Sequence, residues 1–168
     1  SKGFKASGTD VNKIAYLITK VKSTPIEPEF LNKKIDQILI KLIPINGAQT
    51  ALFNDRIEPL IPKKHENRIN YWFSEKNKIE LGKILRVIYG EEDETIRNFF
   101  LVAFSHILKN CSIWLQESTK PTRDLNKTSS KPYEAFRRHL MKMQKGNEAF
   151  YRIVPPKVRD NLNQYLKI

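Results

Sequence analysis

The stretch from residue 94 to residue 111 constrains this chain more than any other. Ile96, Phe99, Phe100, Ala103, Phe104, Ile107 and Leu108 recur at helical spacing and make a helix too apolar for a surface position. Glu91-Glu92-Asp93-Glu94 stands just before it and suits the positive end of a helix dipole. This helix is expected at the centre of the core. With 168 residues and 40% hydrophobic content, the chain can build one compact domain around it.

The surrounding segments read as amphipathic helices. Ile14, Leu17, Ile18 and Val21 share one helical face, which should stop near Ser23-Thr24-Pro25 because a proline disfavours helical backbone in the residue before it. Pro28 suits the first turn of a second helix that presents Leu31, Ile35, Ile38, Leu39 and Leu42, until Pro44 and Gly47 end it. Residues 44–70 read as a long, mostly irregular connection with one short helical turn. Tyr71-Trp72-Phe73 should anchor the approach to a helix that starts at Ser74-Glu75, carries Ile79, Leu85 and Ile88, and stops at Gly90. Beyond Cys111 a polar loop leads to a helix from about Pro132 to Lys145. Tyr133, Phe136, Leu140 and Met143 face inward there, and Arg137, Arg138, Lys142 and Lys145 outward. A last short helix is expected from Pro155-Pro156, with Val158, Leu162 and Tyr165. At the other end, Phe4 to Thr9 alternates like a strand with no earlier element to pair with. Its edges should be covered by another chain or left poorly ordered. The fold class is therefore mainly α, a helical bundle-like domain with a short N-terminal strand–helix unit.

Charge narrows the partner. Thirty basic against 18 acidic residues give a net charge of +12 and favour a polyanion, with nucleic acid first and an anionic membrane surface second. No apolar run approaches the roughly 20 residues that cross a bilayer, and Ser1-Lys2-Gly3-Phe4-Lys5 has no signal-peptide core, so a cytoplasmic location is expected. The single cysteine, Cys111, excludes an internal disulfide and a Cys-rich zinc site, and its apolar surroundings read as a buried, inert thiol. His65, His106 and His139 are scattered, without metal-ligand spacing. There is no Gly-x-Ser-x-Gly, no Walker loop and no complete Gly-x-Gly-x-x-Gly, so no catalytic residue and no metal ligand is assigned.

Two signals remain. Gly8-Thr9-Asp10 at the carboxyl tip of the strand places a carboxylate where its two oxygens can accept from both hydroxyls of a ribose; Asp10 reads equally as the N-cap of the following helix. The second is the strip from Lys109 to Lys145, with nine basic side chains against three acidic ones. Within it Lys120, Thr122, Arg123, Lys127, Lys131, Arg137, Arg138, Lys142 and Lys145 are candidate nucleic-acid phosphate contacts, and a solvated basic face is the alternative. Trp72 and Trp114 are either base-stacking side chains or part of the core.

Gly3-Phe4-Lys5-Ala6-Ser7-Gly8-Thr9-Asp10-Val11-Asn12, continuing to Lys20-Val21-Lys22-Ser23-Thr24-Pro25, resembles bacterial DNA amino-methyltransferases just after their glycine-rich cofactor loop. Tyr71-Trp72-Phe73, Phe99 to Ser105, Ser112-Ile113-Trp114-Leu115-Gln116 and Lys120-Pro121-Thr122-Arg123-Asp124 are similar to the insertion these enzymes carry before their catalytic motif. The resemblance implies that residues 1–25 are a remnant of a Rossmann-like cofactor domain and residues 26–168 a helical, basic DNA-recognition insertion. It implies that Asp10 holds the ribose of S-adenosylmethionine and that Val11 lines the adenine pocket. It further implies double-stranded DNA as partner, in a restriction–modification enzyme that methylates the exocyclic amine of cytosine (N4) or adenine (N6). In that family the target base is flipped out and its amine attacks the methyl group directly.

The sequence departs from the family pattern. The glycine-rich loop Asp-Pro-Phe-x-Gly-Ser-Gly would precede Ser1, the Pro-Pro-Tyr motif would follow Ile168, and Lys13 stands where a proline is common. The chain is thus expected to be enzymatic as part of a complete methyltransferase and inactive alone, with a second chain or further segments supplying the rest. Two other readings stay open: a non-catalytic helical DNA-binding module, and a domain whose basic surface binds an acidic protein.

Overall fold

The computed structural model describes residues 5–43 and 57–167, with the backbone alone at Lys167. The fold is mainly helical. In chain order it runs β1 (Ala6–Ser7), α1 (Lys13–Ser23), α2 (Pro28–Leu42), a 3₁₀ turn (Lys63–His65), α3 (Glu66–Trp72), α4 (Glu75–Tyr89), α5 (Glu94–Cys111), α6 (Pro132–Ile153), α7 (Pro156–Arg159), α8 (Leu162–Tyr165) and β2 (Leu166–Lys167).

Local chemistry sets the helix starts. Asn12 caps α1 by accepting from the Ile14 and Ala15 amides, Glu27 caps α2 with Pro28 in the first turn, and Ser74 and Asp93 cap α4 and α5. α5 is the centre of the core, as its apolar run requires: Ile96, Phe99, Phe100, Ala103, Ile107 and Cys111 are all buried. It packs against α1, α4 and α6, while α2 closes the bundle against α4 and α6. Leu31, Ile35, Ile84, Ile88, Phe136 and Leu140 reach it from those helices. The link between α1 and α2 is fastened to α6 by Asn147, whose side chain accepts from the Ile26 amide (2.9 Å) and donates to the Ile26 carbonyl (2.7 Å). A second tie is Asn77 in α4. Its buried amide donates to the Cys111 carbonyl (2.9 Å), Ser129 Oγ (3.0 Å) and the Ser130 carbonyl (3.2 Å), pinning both ends of the segment between α5 and α6.

Four expectations need correction. The connection over 44–70, of which residues 44–56 lie outside the described residues, contains a full helix, α3, so Tyr71 and Trp72, which stand just ahead of α4 as expected, also form the last turn of that earlier helix. α6 continues to Ile153 instead of stopping near Lys145, because Asn147 and Phe150 keep packing on α1 and its link while Gly146 is tolerated. The final helix is two short ones, α7 and α8, followed by a strand. The expected strand from Phe4 to Thr9 is two residues long, with Phe4 outside the described residues, and it has a partner within the chain: Ala6 and Ser7 pair in parallel with Leu166 and Lys167. The segment after Cys111 is the polar loop expected, folded back on itself as a hairpin by one bridge.

Candidate nucleic-acid interface and cofactor edge

The hairpin over residues 113–124 is closed by a Trp114–Arg123 antiparallel bridge. The Leu115 amide donates to the Thr122 carbonyl and the Asp124 amide to the Ile113 carbonyl, both at 2.8 Å. The Ile113 amide also donates to the Trp72 carbonyl (3.0 Å), fixing the hairpin to the end of α3. Two lysines wire its inside. Lys127 donates to the Trp114 (2.7 Å) and Lys109 (2.9 Å) carbonyls, and Lys109 donates to the Gln116 and Ser118 carbonyls, both at 2.9 Å. Burial, and then the neighbouring Lys109 charge, lower the Lys127 pKa. Lys127 is therefore occupied by the protein's own carbonyls and is not presented as a free cation.

The hairpin also carries an aromatic array. Trp72 and Trp114 stack at 5.4 Å, Tyr71 meets Trp72 edge-on at 5.0 Å, and the Arg123 guanidinium lies over the Tyr71 ring at 4.2 Å. Both tryptophans are half-buried against each other, whereas Tyr71 is 50% exposed. Thr122 and Lys120 lie exposed on the same hairpin, with Thr122 Oγ1 in hydrogen-bond contact with Ser118 Oγ (3.2 Å).

Four of the remaining basic candidates form a stripe along one side of α6, Lys131 from its N-cap and three from within the helix. Lys131, Arg138, Lys142 and Lys145 follow one another at seven, four and three residues, spacings that keep them on one face of a helix. All four are exposed, and none makes an ion pair among the described residues. Arg137 is exposed too but lies to one side of that stripe. Sequence reading passed over Tyr71 as a surface group and did not include Arg68, three residues earlier on α3, which is also exposed.

At the strand end, Asp10 and Val11 are both exposed just beyond the carboxyl end of β1. Asp10 Oδ1 accepts from the Asn12 amide (2.7 Å), while Asn12 itself caps α1. Of the two readings open to Asp10, the N-cap role thus belongs to Asn12. Val11 has no packing of its own, at 104% exposure.

Between α1, α5 and α6 lies a cavity of about 610 Å³ walled by Ile18, Val21, Phe99, Val102, Met143 and Phe150. His106 and His139 stack at its side with rings 3.8 Å apart. Burial, the adjacent His106 and Lys142 push the His139 pKa down to about 4, so this imidazole is neutral at pH 7. Cys111 is raised to about 11 by burial and the nearby Glu80 carboxylate, which fits an inert thiol. Among the described residues, no three His, Cys, Asp or Glu side chains gather in a metal-holding cluster, and no helix is long and apolar enough to cross a membrane.

Over 154 residues the chain is 27% identical to the Type II methyltransferase M.MvaI of Kocuria varians. The match covers 89% of this chain and 33% of that protein, so the chain spans about a third of the length of its relative. No family model matches the chain, and no solved structure matches it. The aligned stretch is long enough to take in most of the helical core together with the hairpin.

Proposed function

We propose that this chain is a portion of a DNA methyltransferase of the restriction–modification type, in which it supplies one edge of the S-adenosylmethionine site and a helical surface that contacts double-stranded DNA. The observation that carries the reading is the similarity to a Type II methyltransferase over 154 residues, set beside the placement of Asp10. An exposed carboxylate at the carboxyl end of a parallel strand, followed at once by a helix, is where α/β nucleotide sites put the acceptor for ribose hydroxyls. Parallel strands normally lie in sheets covered on both faces, whereas Ala6 and Ser7 are exposed on a two-residue pair. That supports a Rossmann-like sheet completed by further strands, with residues 1–25 on the cofactor side and residues 26–168 as the DNA-recognition insertion.

The residues fit the cofactor. Asp10 would hold the ribose with the oxygen that Asn12 leaves open, and Val11 would offer an apolar edge to the adenine. When bound, S-adenosylmethionine supplies an electrophilic methyl group to the exocyclic amine of cytosine or adenine, which needs no metal. Lys120 on the hairpin and the exposed cations of α6 hold the duplex backbone by charge, and this chain contributes no nucleophile.

The test uses the full-length protein that contains this chain. Asp10→Ala should weaken S-adenosylmethionine binding in calorimetry by about 1.5 to 3 kcal/mol, the scale of hydrogen bonds to a charged acceptor. Arg137→Ala/Arg138→Ala should flatten the plot of log DNA affinity against log salt by about 0.9 for each phosphate that the variant no longer neutralises. An unchanged cofactor affinity with a flattened salt slope would leave a non-catalytic DNA-binding module, which the unpaired stripe on α6 favours as the second reading.

A further inference from the structure

The hairpin holds one cation differently from all the others. Lys109 and Lys127 direct their ammonium groups at backbone carbonyls, and the α6 stripe projects long flexible side chains into solvent. Arg123 does neither. Its guanidinium carbon lies over the Tyr71 ring at 4.2 Å from the ring centre, yet it makes no hydrogen bond and no ion pair among the described residues. One face is fixed while the donor edge stays open. The support beneath it is rigid as well, because Tyr71 meets Trp72, Trp72 stacks on Trp114, and Trp114 is bridged across the hairpin to Arg123 itself.

We infer that Arg123, oriented by Tyr71, reads a guanine edge in the bound duplex, with both guanidinium donors directed at O6 and N7 in the major groove. This rests on the DNA-binding reading above. A phosphate contact asks for charge and tolerates many side-chain directions, so the mobile cations of α6 suit it. A bidentate contact to guanine requires a planar fork in one orientation, which is what stacking on an aromatic ring provides. The closed hairpin and its exposed Lys120 and Thr122 then flank the contact and can settle on neighbouring phosphates. Tyr71 is a positioning residue in this scheme and need not touch the base.

The experiment binds the full-length protein that contains this chain to a pool of duplexes with a randomised central segment and sequences the retained fraction. It then measures Kd for the preferred duplex and for a scrambled one. The wild type should enrich guanine at one or more positions. Arg123→Lys keeps the charge and loses the fork, so it should weaken the preferred duplex about tenfold or more, abolish the guanine preference, and leave the scrambled duplex within about twofold. Tyr71→Leu should lose the preference in the same way, and Tyr71→Phe should retain it. Both substituted side chains are exposed in the parent, and circular dichroism checks that the variants keep their helix content. A wild type without guanine preference, an Arg123→Lys variant that keeps it, or an Arg123→Ala variant that loses preferred and scrambled duplex equally would each overturn the inference. Failure of the wild type to bind any duplex in a salt-dependent way would instead overturn the DNA-binding reading itself.

Discussion

Asn77→Ala is the substitution that tests most directly how the basic hairpin is held on the helical core. The Asn77 side chain is 6% exposed and donates to three acceptors, two of them main-chain carbonyls at Cys111 and Ser130. Those carbonyls close the end of α5 and the start of the segment that enters α6. Removing the amide strands them in the interior, while Ser129, whose hydroxyl can turn elsewhere, is affected less. At about 1 to 1.5 kcal/mol for each carbonyl left without its donor, the variant should lose about 2 to 3 kcal/mol. With a urea dependence of about 2 kcal/mol per molar, the unfolding midpoint should fall by about 1 to 1.5 M with an unchanged slope. Asn77→Asp should be worse than Ala despite its matching shape, because a carboxylate would face those carbonyls with acceptors only. Urea titration followed by circular dichroism and by tryptophan fluorescence reads both quantities, the second being sensitive to the Trp72–Trp114 stack. A midpoint within about 0.3 M of wild type would refute the reasoning that these bonds clamp the segment, since a value that small corresponds to less than one neutral hydrogen bond.

Protonation of His139 gives a second check. Its folded pKa lies near 4, below the ordinary 6.5, so the unfolded chain binds the extra proton first; stability is full above about pH 6.5 and falls as the pH drops toward 4. Discounted for its partial exposure, that loss should be on the order of 1 to 2 kcal/mol, and His139→Gln should flatten it in urea titrations at pH 7 and pH 4.5. The two helical glycines should respond with opposite signs. A Cβ on Gly82 would lie 2.8 Å from Pro59 Cβ, so Gly82→Ala should cost about 1 to 3 kcal/mol, whereas nothing lies within 4 Å of a Cβ on Gly146, and Gly146→Ala should gain about 0.5 to 1 kcal/mol in the same titration.

What could be read from the sequence was governed by periodicity and caps. α5 was legible because its apolar residues cover more than one face, which leaves burial as the remaining outcome, and α1, α2 and α4 were legible because each joins a one-sided apolar pattern to a stop or start signal. α3 was not. Seven residues after Pro59 and Pro62 offer too few turns for a period to stand out, and its formation depends on Trp72 meeting Trp114 from 42 residues further on. The same reason hid the length of α6. Gly146 reads locally as a stop, but the two hydrogen bonds between Asn147 and Ile26 span 121 residues and hold the helix beyond it. β2 was hidden for a like cause, since its partner β1 lies at the other end of the described chain.

The candidate site shows a different kind of gap, because charge in a sequence carries no direction. Nine basic residues in one strip read as a single surface, yet the structure divides them by what their donors meet. Lys109 and Lys127 turn their ammonium groups to main-chain carbonyls, those of Gln116, Ser118 and Trp114 in the hairpin and that of Lys109 at the end of α5. Arg123 is held on an aromatic face with its donors open, and Lys131, Arg138, Lys142 and Lys145 line one exposed stripe. A cation whose donors are taken up by the fold keeps its charge but offers fewer free donors to a phosphate, so it should add less to the salt dependence than an exposed one. On the proposed DNA-contact reading, the effective polyanion surface is therefore smaller than the composition suggests, with the hairpin to fix direction and the helix to supply charge.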